Sequence, residues 1–377
     1  MFQVTMRSQR MFIGASLPLF VAQNASSSPR SAKTYKGWRG AMTIKHFRIA
    51  AIIAVLLQFG AAALASAAEI GTKFPDDFPV IRNFYLGQPV IGFGSRIGRI
   101  EHVPVIFLHG NNDTPFATAC NPFGRIQAFA QFFLDHGYRP SELWGLGYQG
   151  DQCDLAQDNT HRSGISHTTA AAVPLLREFV QAVLDFTGAR RVDIVAHSLG
   201  VTVAREWMLQ DNAYRRVRAL VAIDGPNHGI IDCSPNPLNF YQLPSGGGFT
   251  PSSAVCDEYG SDHTQLLAVL NAAGETPGPT RYLVIRNKPG TPDFVYNSLQ
   301  DGALPGVPAE DRDGKPHDFT ASTGLAGATT IDLVGQGLYD TVLFTAHLGI
   351  LNSPDTRNAA LQFLTSLPGR TDREAGN

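Results

Sequence analysis

Two short strings in this chain carry residues able to do covalent chemistry. The first is Ala196-His197-Ser198-Leu199-Gly200, which follows the apolar run Val192 to Ala196 (VDIVA) and precedes a helical pattern from Leu199 to Leu209. A strand, a one-residue reversal and a helix hold a single side chain on a strained turn at the carboxyl end of a parallel sheet. Such a turn exposes the Ser198 hydroxyl and sets the Leu199 N–H at a helix N-terminus, ready to donate to an oxyanion. The residues two before and two after the serine must be small because the turn brings them together, and here they are Ala196 and Gly200. A small-x-Ser-x-Gly string arises by chance in many proteins; its position between a buried strand and a helix is what marks Ser198 as a nucleophile.

The second string, His109-Gly110-Asn111-Asn112-Asp113, follows the apolar run Val103 to Leu108 (VPVIFL). An apolar strand ending in His-Gly is the pattern whose loop gives the second backbone N–H of an oxyanion hole, with glycine allowing close approach of the backbone. Asn111 is the donor by position, and His109 is expected to shape the loop by hydrogen bonding rather than to transfer protons.

VPVIFLHGNND, VDIVAHSLG and the C-terminal TAHLGIL together resemble the α/β-hydrolase superfamily, specifically the class 2 bacterial lipases, whose elbow also begins with Ala rather than Gly. The HGNND-type loop is also similar to that of the extracellular polyhydroxybutyrate depolymerases related to those lipases. The similarity runs from about Val103 to Leu364, with the middle poorly matched. It implies an α/β-hydrolase fold, a mostly parallel sheet with helices on both faces, and a triad in the chain order Ser, acid, His.

On that order the base is expected to be His347, in Thr345-Ala346-His347-Leu348-Gly349, where an apolar residue and Gly follow the histidine as in the family's catalytic loop. His317 is its rival, in a charged loop with no apolar anchor. The acid is expected to be Asp293, shortly after the run Tyr282 to Ile285, with Asp224 and Asp301 as rivals; for Asp224, in Asp224-Gly225-Pro226-Asn227, loop formation is the simpler role. The resemblance therefore implies a lipase or carboxylesterase working through Ser198, His347 and Asp293, with Asn111 and Leu199 forming the oxyanion hole. Polyhydroxyalkanoate depolymerase is the alternative within the same chemistry. A non-catalytic secreted binding protein is the alternative of another class, disfavoured because a binder has no reason to keep all three residues in order.

The elements that must position these groups are legible as alternation. Val103 to Leu108, Leu143 to Tyr148, Val192 to Ala196, Val217 to Ile223 and Tyr282 to Ile285 read as buried strands. Between and after them, Gly124 to His136, Thr168 to Phe186, Leu199 to Leu209 and Asp355 to Leu367 read as helices. That alternation implies a parallel sheet with right-handed crossovers. Gly229 to Ser261, rich in Gly, Pro, Ser and Asn, reads as an irregular excursion, and Asp301 to Lys315 as loop.

Met42 opens a charged segment (Lys45, His46, Arg48) followed by an apolar run to Ala65 and the small-residue string Ala65-Ser66-Ala67-Ala68, the pattern of a cleaved signal peptide at 42–68. Residues 1–41 are then an extension from a mis-assigned start, and 69–377 the exported hydrolase domain. Cys120, Cys153, Cys233 and Cys256 fit an oxidising compartment. Cys233 and Cys256 close the excursion while Cys120 and Cys153 lie in loops after consecutive strands, so the pairs expected are 120–153 and 233–256. With 30 Lys+Arg against 32 Asp+Glu and 16% charged residues in 377, a nucleic-acid partner is excluded, whereas 44% hydrophobic residues supply a large core. No dinucleotide loop or metal-ligand spacing occurs, so no cofactor or metal is expected, and no stable protein partner is implied.

Overall fold

The computed structural model describes residues 68–153, 167–237, 249–289, 293, 309–319, 321–340 and 345–368. The expected signal peptide and the extension before it lie outside these residues. The sheet and the candidate site both belong to the compact unit from Ala65 to Asn377.

Seven strands form one sheet in the order β3-β5-β4-β6-β7-β8-β9. They are β3 (Ile91–Phe93), β4 (Val105–Leu108), β5 (Leu143–Gly147), β6 (Val192–His197), β7 (Val217–Ile223), β8 (Arg281–Asn287) and β9 (Thr329–Leu333). Only β3 runs antiparallel, against β5, and every other pairing is parallel. A separate two-stranded ribbon, β1 (Arg82–Asn83) with β2 (Gln88–Pro89), precedes it. The five expected strands are all present, each within two residues at either end.

The largely apolar character of β4, β6 and β7, broken by Asp193 and His197 on β6 and Arg218 on β7, follows from burial on both faces. Ile106, Leu108, Ile194, Ala196, Leu220 and Ala222 point into one core, and Val105, Phe107, Val195, Ala219, Val221 and Ile223 into the other. A period of two thus feeds two cores from one strand, which is why these runs show no polar alternation.

Helices α2 (Thr169–Thr187) and α3 (Leu199–Gln210) cover the first face. Thr168 caps α2, its side chain accepting from Ala171 N, and Gly188 ends it with φ 67°. Helices α1 (Arg125–Asp135) and α7 (Pro354–Ser366) cover the second face through Phe129, Phe133, Ala360 and Leu364. Arg218 on β7, buried against Asp193 on β6 with Nε 2.9 Å from Oδ1, also donates to the Leu364 carbonyl and so ties two central strands to α7.

The excursion is less irregular than its composition suggests. Within it, α4 (Ala254–Tyr259) forms because Ser253 caps it, accepting from Cys256 N, and because Cys256 is bonded to Cys233 in a short 3₁₀ turn, Ile231–Cys233. A further helix, α5 (Gln265–Ala272), comes directly after it. The apolar residues Phe240, Tyr241 and Leu243 of the excursion lie outside the described residues. Both expected disulfides are present, Cys120–Cys153 with Cα atoms 5.1 Å apart and Cys233–Cys256 with 5.6 Å.

Candidate active site

Parallel pairing aligns the carboxyl ends of the central strands. Leu108 sits opposite Ala196, Ala196 opposite Ala222, and Ile223 opposite Ile285, so the loops after β4, β6, β7 and β8 emerge on one edge. Ser198 follows β6 with φ 51° and ψ −127°, a left-handed conformation that a residue with a side chain rarely adopts. The strain is held by its N–H donating to Ile223 O at 2.9 Å, and by the helix α3 that starts at the next residue. Neighbouring backbone leaves no room for side chains: a Cβ on Gly200 would lie 2.7 Å from His109 O, and one on Gly110 2.9 Å from the Ser198 Cβ. The small residues at this turn are therefore a steric requirement of the packing between the β4 and β6 loops. Leu199, as the first residue of α3, has an N–H in the turn that no intrahelical carbonyl can satisfy.

His347 lies on the one-turn helix α6 (Ala346–Gly349), buried, with Nε2 3.0 Å from Ser198 Oγ. Three contacts fix its loop. His197 Nε2 donates to the His347 carbonyl at 2.9 Å, and Gly349 packs directly on the Gln336 carbonyl. Asp340, facing Arg125 at 3.9 Å, accepts from Thr345 Oγ1 at 2.6 Å. Burial lowers the pKa of His347, the nearby Asp293 raises it, and Arg125 lowers it. His197 is buried and held well below the usual histidine range, first by burial and then by His347, so two adjacent imidazoles do not both carry charge.

Two carboxyl groups face His347 Nδ1. Asp224 Oδ2 lies 3.4 Å away and Asp293 Oδ2 3.9 Å away, both residues buried. Asn287, at the end of β8, donates through Nδ2 to both of these oxygens, at 2.6 and 2.8 Å, while its backbone N–H donates to Asp224 Oδ1 at 3.1 Å. Burial pushes the Asp224 carboxyl up to about 6. Asp224, for which loop formation was the simpler expectation, thus comes nearer the histidine than Asp293 does, and it also has a positive φ of 46°. Asp224, Asp293 and His347 bring ligand-type atoms within 4.8 Å of one another, a convergence that their contacts with Asn287 and Ser198 already account for. The rival His317 lies elsewhere, its Nε2 3.2 Å from the His228 carbonyl and its ring against Phe319. Asp301 lies outside the described residues.

The loop after β4 is held from both sides. His109 is fully buried, donates through Nδ1 to Gly110 O at 2.7 Å and stacks on Tyr148 with ring centroids 4.2 Å apart, the loop-shaping role expected of it. Burial lowers its pKa, so it is neutral. Asn111 Oδ1 accepts from Gln149 Nε2 at 3.0 Å and faces His167 Nδ1 at 3.0 Å, and Gln149 Oε1 accepts the Asn112 N–H. Gln149, Asn287 and His197 carry no motif of their own. The only sequence signal for them is position, at or directly after the end of a strand that feeds the same sheet edge.

A parallel sheet with one antiparallel edge strand, a strained serine after a central strand and a buried histidine from the last loop define an α/β hydrolase. The sequence matches the class 2 lipase family over residues 102–291, and the chain belongs to that family. The matched span includes Asn111, Ser198 and Asp224; Asp293 and His347 lie beyond it and join the site through the fold. Among solved structures, the mature form of lipase BlEst2 from Bacillus licheniformis is similar at 15% identity, over 73% of this chain and 97% of that one, with a TM-score of 0.41. Lipase B of Aspergillus fumigatus matches at 15% over 72% of this chain and 55% of its own, with a TM-score of 0.41. The haloalkane dehalogenase DbeA from Bradyrhizobium elkani matches at 13% over 79% and 98%, with a TM-score of 0.43.

Proposed function

We propose that this protein is an exported serine ester hydrolase, a lipase or carboxylesterase that works through an acyl-enzyme. The observation that carries the reading is the 3.0 Å contact between His347 Nε2 and Ser198 Oγ in a chain of the class 2 lipase family. Ser198 Oγ attacks the ester carbonyl carbon and passes its proton to His347 Nε2. The carbonyl oxygen, now negative, is held by the N–H groups of Leu199 and Asn111. Collapse of this intermediate breaks the bond to the alcohol, which leaves with the proton from His347, and water repeats the sequence to release the acid. Asp293 fixes the tautomer that keeps the His347 Nε2 lone pair toward Ser198 and stabilises the imidazolium. The low pKa that burial gives His347 keeps it neutral, as a base must be.

Export rests on the signal-peptide pattern at 42–68 and on two disulfides, which persist in oxidising compartments. The working domain is then 69–377. Among the described residues no helix is long and apolar enough to cross a membrane.

The test is a substrate panel run with the wild type and Ser198→Ala: p-nitrophenyl esters of increasing chain length, emulsified triglyceride and amorphous polyhydroxybutyrate. Ester and lipid hydrolysis are expected to dominate, and Ser198→Ala to lose several orders of magnitude in turnover. Retention of most activity by the Ala variant sinks the reading. Release of hydroxybutyrate oligomers without triglyceride hydrolysis moves the substrate to polyester.

A further inference from the structure

We infer that Asp224 is a second positioning carboxyl for His347, so that the histidine is oriented by an Asp224–Asp293 pair bridged by Asn287 rather than by one acid. The inference rests on the reading of Ser198 and His347 given above and goes beyond its single acid.

The geometry is convergent. The same oxygen of each carboxyl that receives the Asn287 Nδ2 donation is the one facing His347 Nδ1, at 3.4 Å for Asp224 and 3.9 Å for Asp293. Both carboxyl groups thus converge on one donor, Asn287 Nδ2, and on one imidazole nitrogen.

Other titratable and charged groups surround the pair. Asp232, buried on the 3₁₀ turn Ile231–Cys233, is held well above the usual carboxylate range by burial and then by Asp293. Arg286 of β8 acts on Asp224, and Arg125 of α1 acts on His347, both as charges at a distance. His197 is neutral. The backbone supports the assignment: Asp224 is held at φ 46° with its N–H donating to Ile285 O at 3.0 Å, so its side chain is fixed from the β7 side while Asp293 reaches in from the β8 side. Two strands that neighbour each other in the sheet each deliver one carboxyl to one histidine.

With two carboxyls available, loss of one leaves the other within reach of Nδ1. Asp293→Asn and Asp224→Asn, made in the full chain, are each expected to lower kcat for a soluble p-nitrophenyl ester by about 10-fold with KM unchanged. The double variant is expected to fall by about 10⁴-fold, the loss typical when a triad acid is replaced. Each single variant should also shift the acid limb of kcat/KM to lower pH, because removing negative charge near His347 destabilises its protonated form. A residue that only builds the turn would leave that limb in place. Thermal unfolding checks the fold of each protein, and Asp224→Ser, which keeps a hydroxyl toward Asn287, replaces Asp224→Asn if the latter unfolds. If Asp293→Asn is as slow as the double variant and the Asp224 variants keep wild-type turnover and pH profile, Asp293 acts alone and the inference is overturned. It is equally overturned if the Asp224 variants alone match the double. Ser198→Ala and His347→Ala run as controls: activity surviving in those would instead overturn the triad on which the inference rests.

Discussion

A methyl group on Gly110 would stand 2.9 Å from the Ser198 Cβ and 3.1 Å from His197 Nδ1, and neither neighbour is a flexible chain end. Something in the strained turn must yield, and a displacement of the nucleophile approaching 1 Å costs about 10²-fold in rate. Gly110→Ala should therefore lower kcat about 10²-fold with little change in KM in steady-state kinetics on a soluble ester; a wild-type kcat would show that the loop after β4 does not press on Ser198. The pH profile belongs to this scale too. His347 must be neutral to act, and burial, the largest influence on it, lowers its pKa from 6.5. Activity should be kept down through mildly acidic pH and fall only below about 6.5. An acid limb centred clearly above that value would mean that the neighbouring carboxyls outweigh burial. Ser198, His347 and the Gly110-Asn111 loop were legible because their chemistry demands local patterns: a small-residue turn, and a His-Gly after an apolar strand. The sequence favours Asp293 over Asp224 as the acid but does not show that both approach His347, since only the register of β7 against β8 brings the two together there. Asn287 and Gln149 were illegible because a hydrogen bond made across the sheet edge leaves no trace in spacing.

At the scale of elements, legibility in the sequence tracks burial. The strands β4, β6 and β7 are apolar but for Asp193, His197 and Arg218 because both faces are covered, and their runs stand out. Strand β9 (TTIDL) is partly exposed along its length, and β3 is three residues with Gly92 in the middle, where any side chain would strike the Gly145 carbonyl. Edge strands need no apolar run, so neither could be read. Helix α4 was hidden by the Gly/Pro-rich composition around it, which obscures a six-residue helix fixed by a serine cap and a disulfide. The same logic identifies where the sheet is most sensitive. Arg218 is 7% exposed and its Asp193 partner 0%, and burial pushes the aspartate up to about 6 even with the guanidinium beside it. Removing the arginine strands a buried carboxyl and frees the α7 carbonyl it holds. Arg218→Met should cost about 3–5 kcal/mol of unfolding free energy in urea titration. A loss under about 1 kcal/mol would mean that the aspartate simply takes a proton and the strands hold without the pair.

Over the whole molecule, the two disulfides serve different layers, and this sets how the protein should respond to reduction. Cys233 and Cys256 are both 0% exposed and belong to the same core cluster as Trp207 and Tyr259, beneath the covered face of the sheet. Cys120 is exposed, and its bond to Cys153 joins two surface turns rather than core elements. Those turns flank the site: Thr118 Oγ1 donates to Asp151 O, Asn121 Nδ2 donates to Asn112 O, and Gln152 Nε2 donates to the carbonyl of Gln149, which in turn holds Asn111. Thiol exchange requires a thiolate to reach a sulfur, so access decides the order. Mild thiol treatment of the native protein, followed by alkylation and peptide mapping, should label Cys120 and Cys153 while Cys233 and Cys256 stay protected until the fold opens. Freed from the cross-link, the turns can release Gln149, so kcat should fall at this first stage, with the sheet intact by circular dichroism. Thermal stability should fall at the same stage, because opening a cross-link across 33 residues returns about 3–4 kcal/mol of chain entropy to the unfolded state. Labelling of Cys233 or Cys256 first, or unchanged turnover once Cys120 and Cys153 are fully alkylated, would show that the rim disulfide does not brace the loop that carries Asn111.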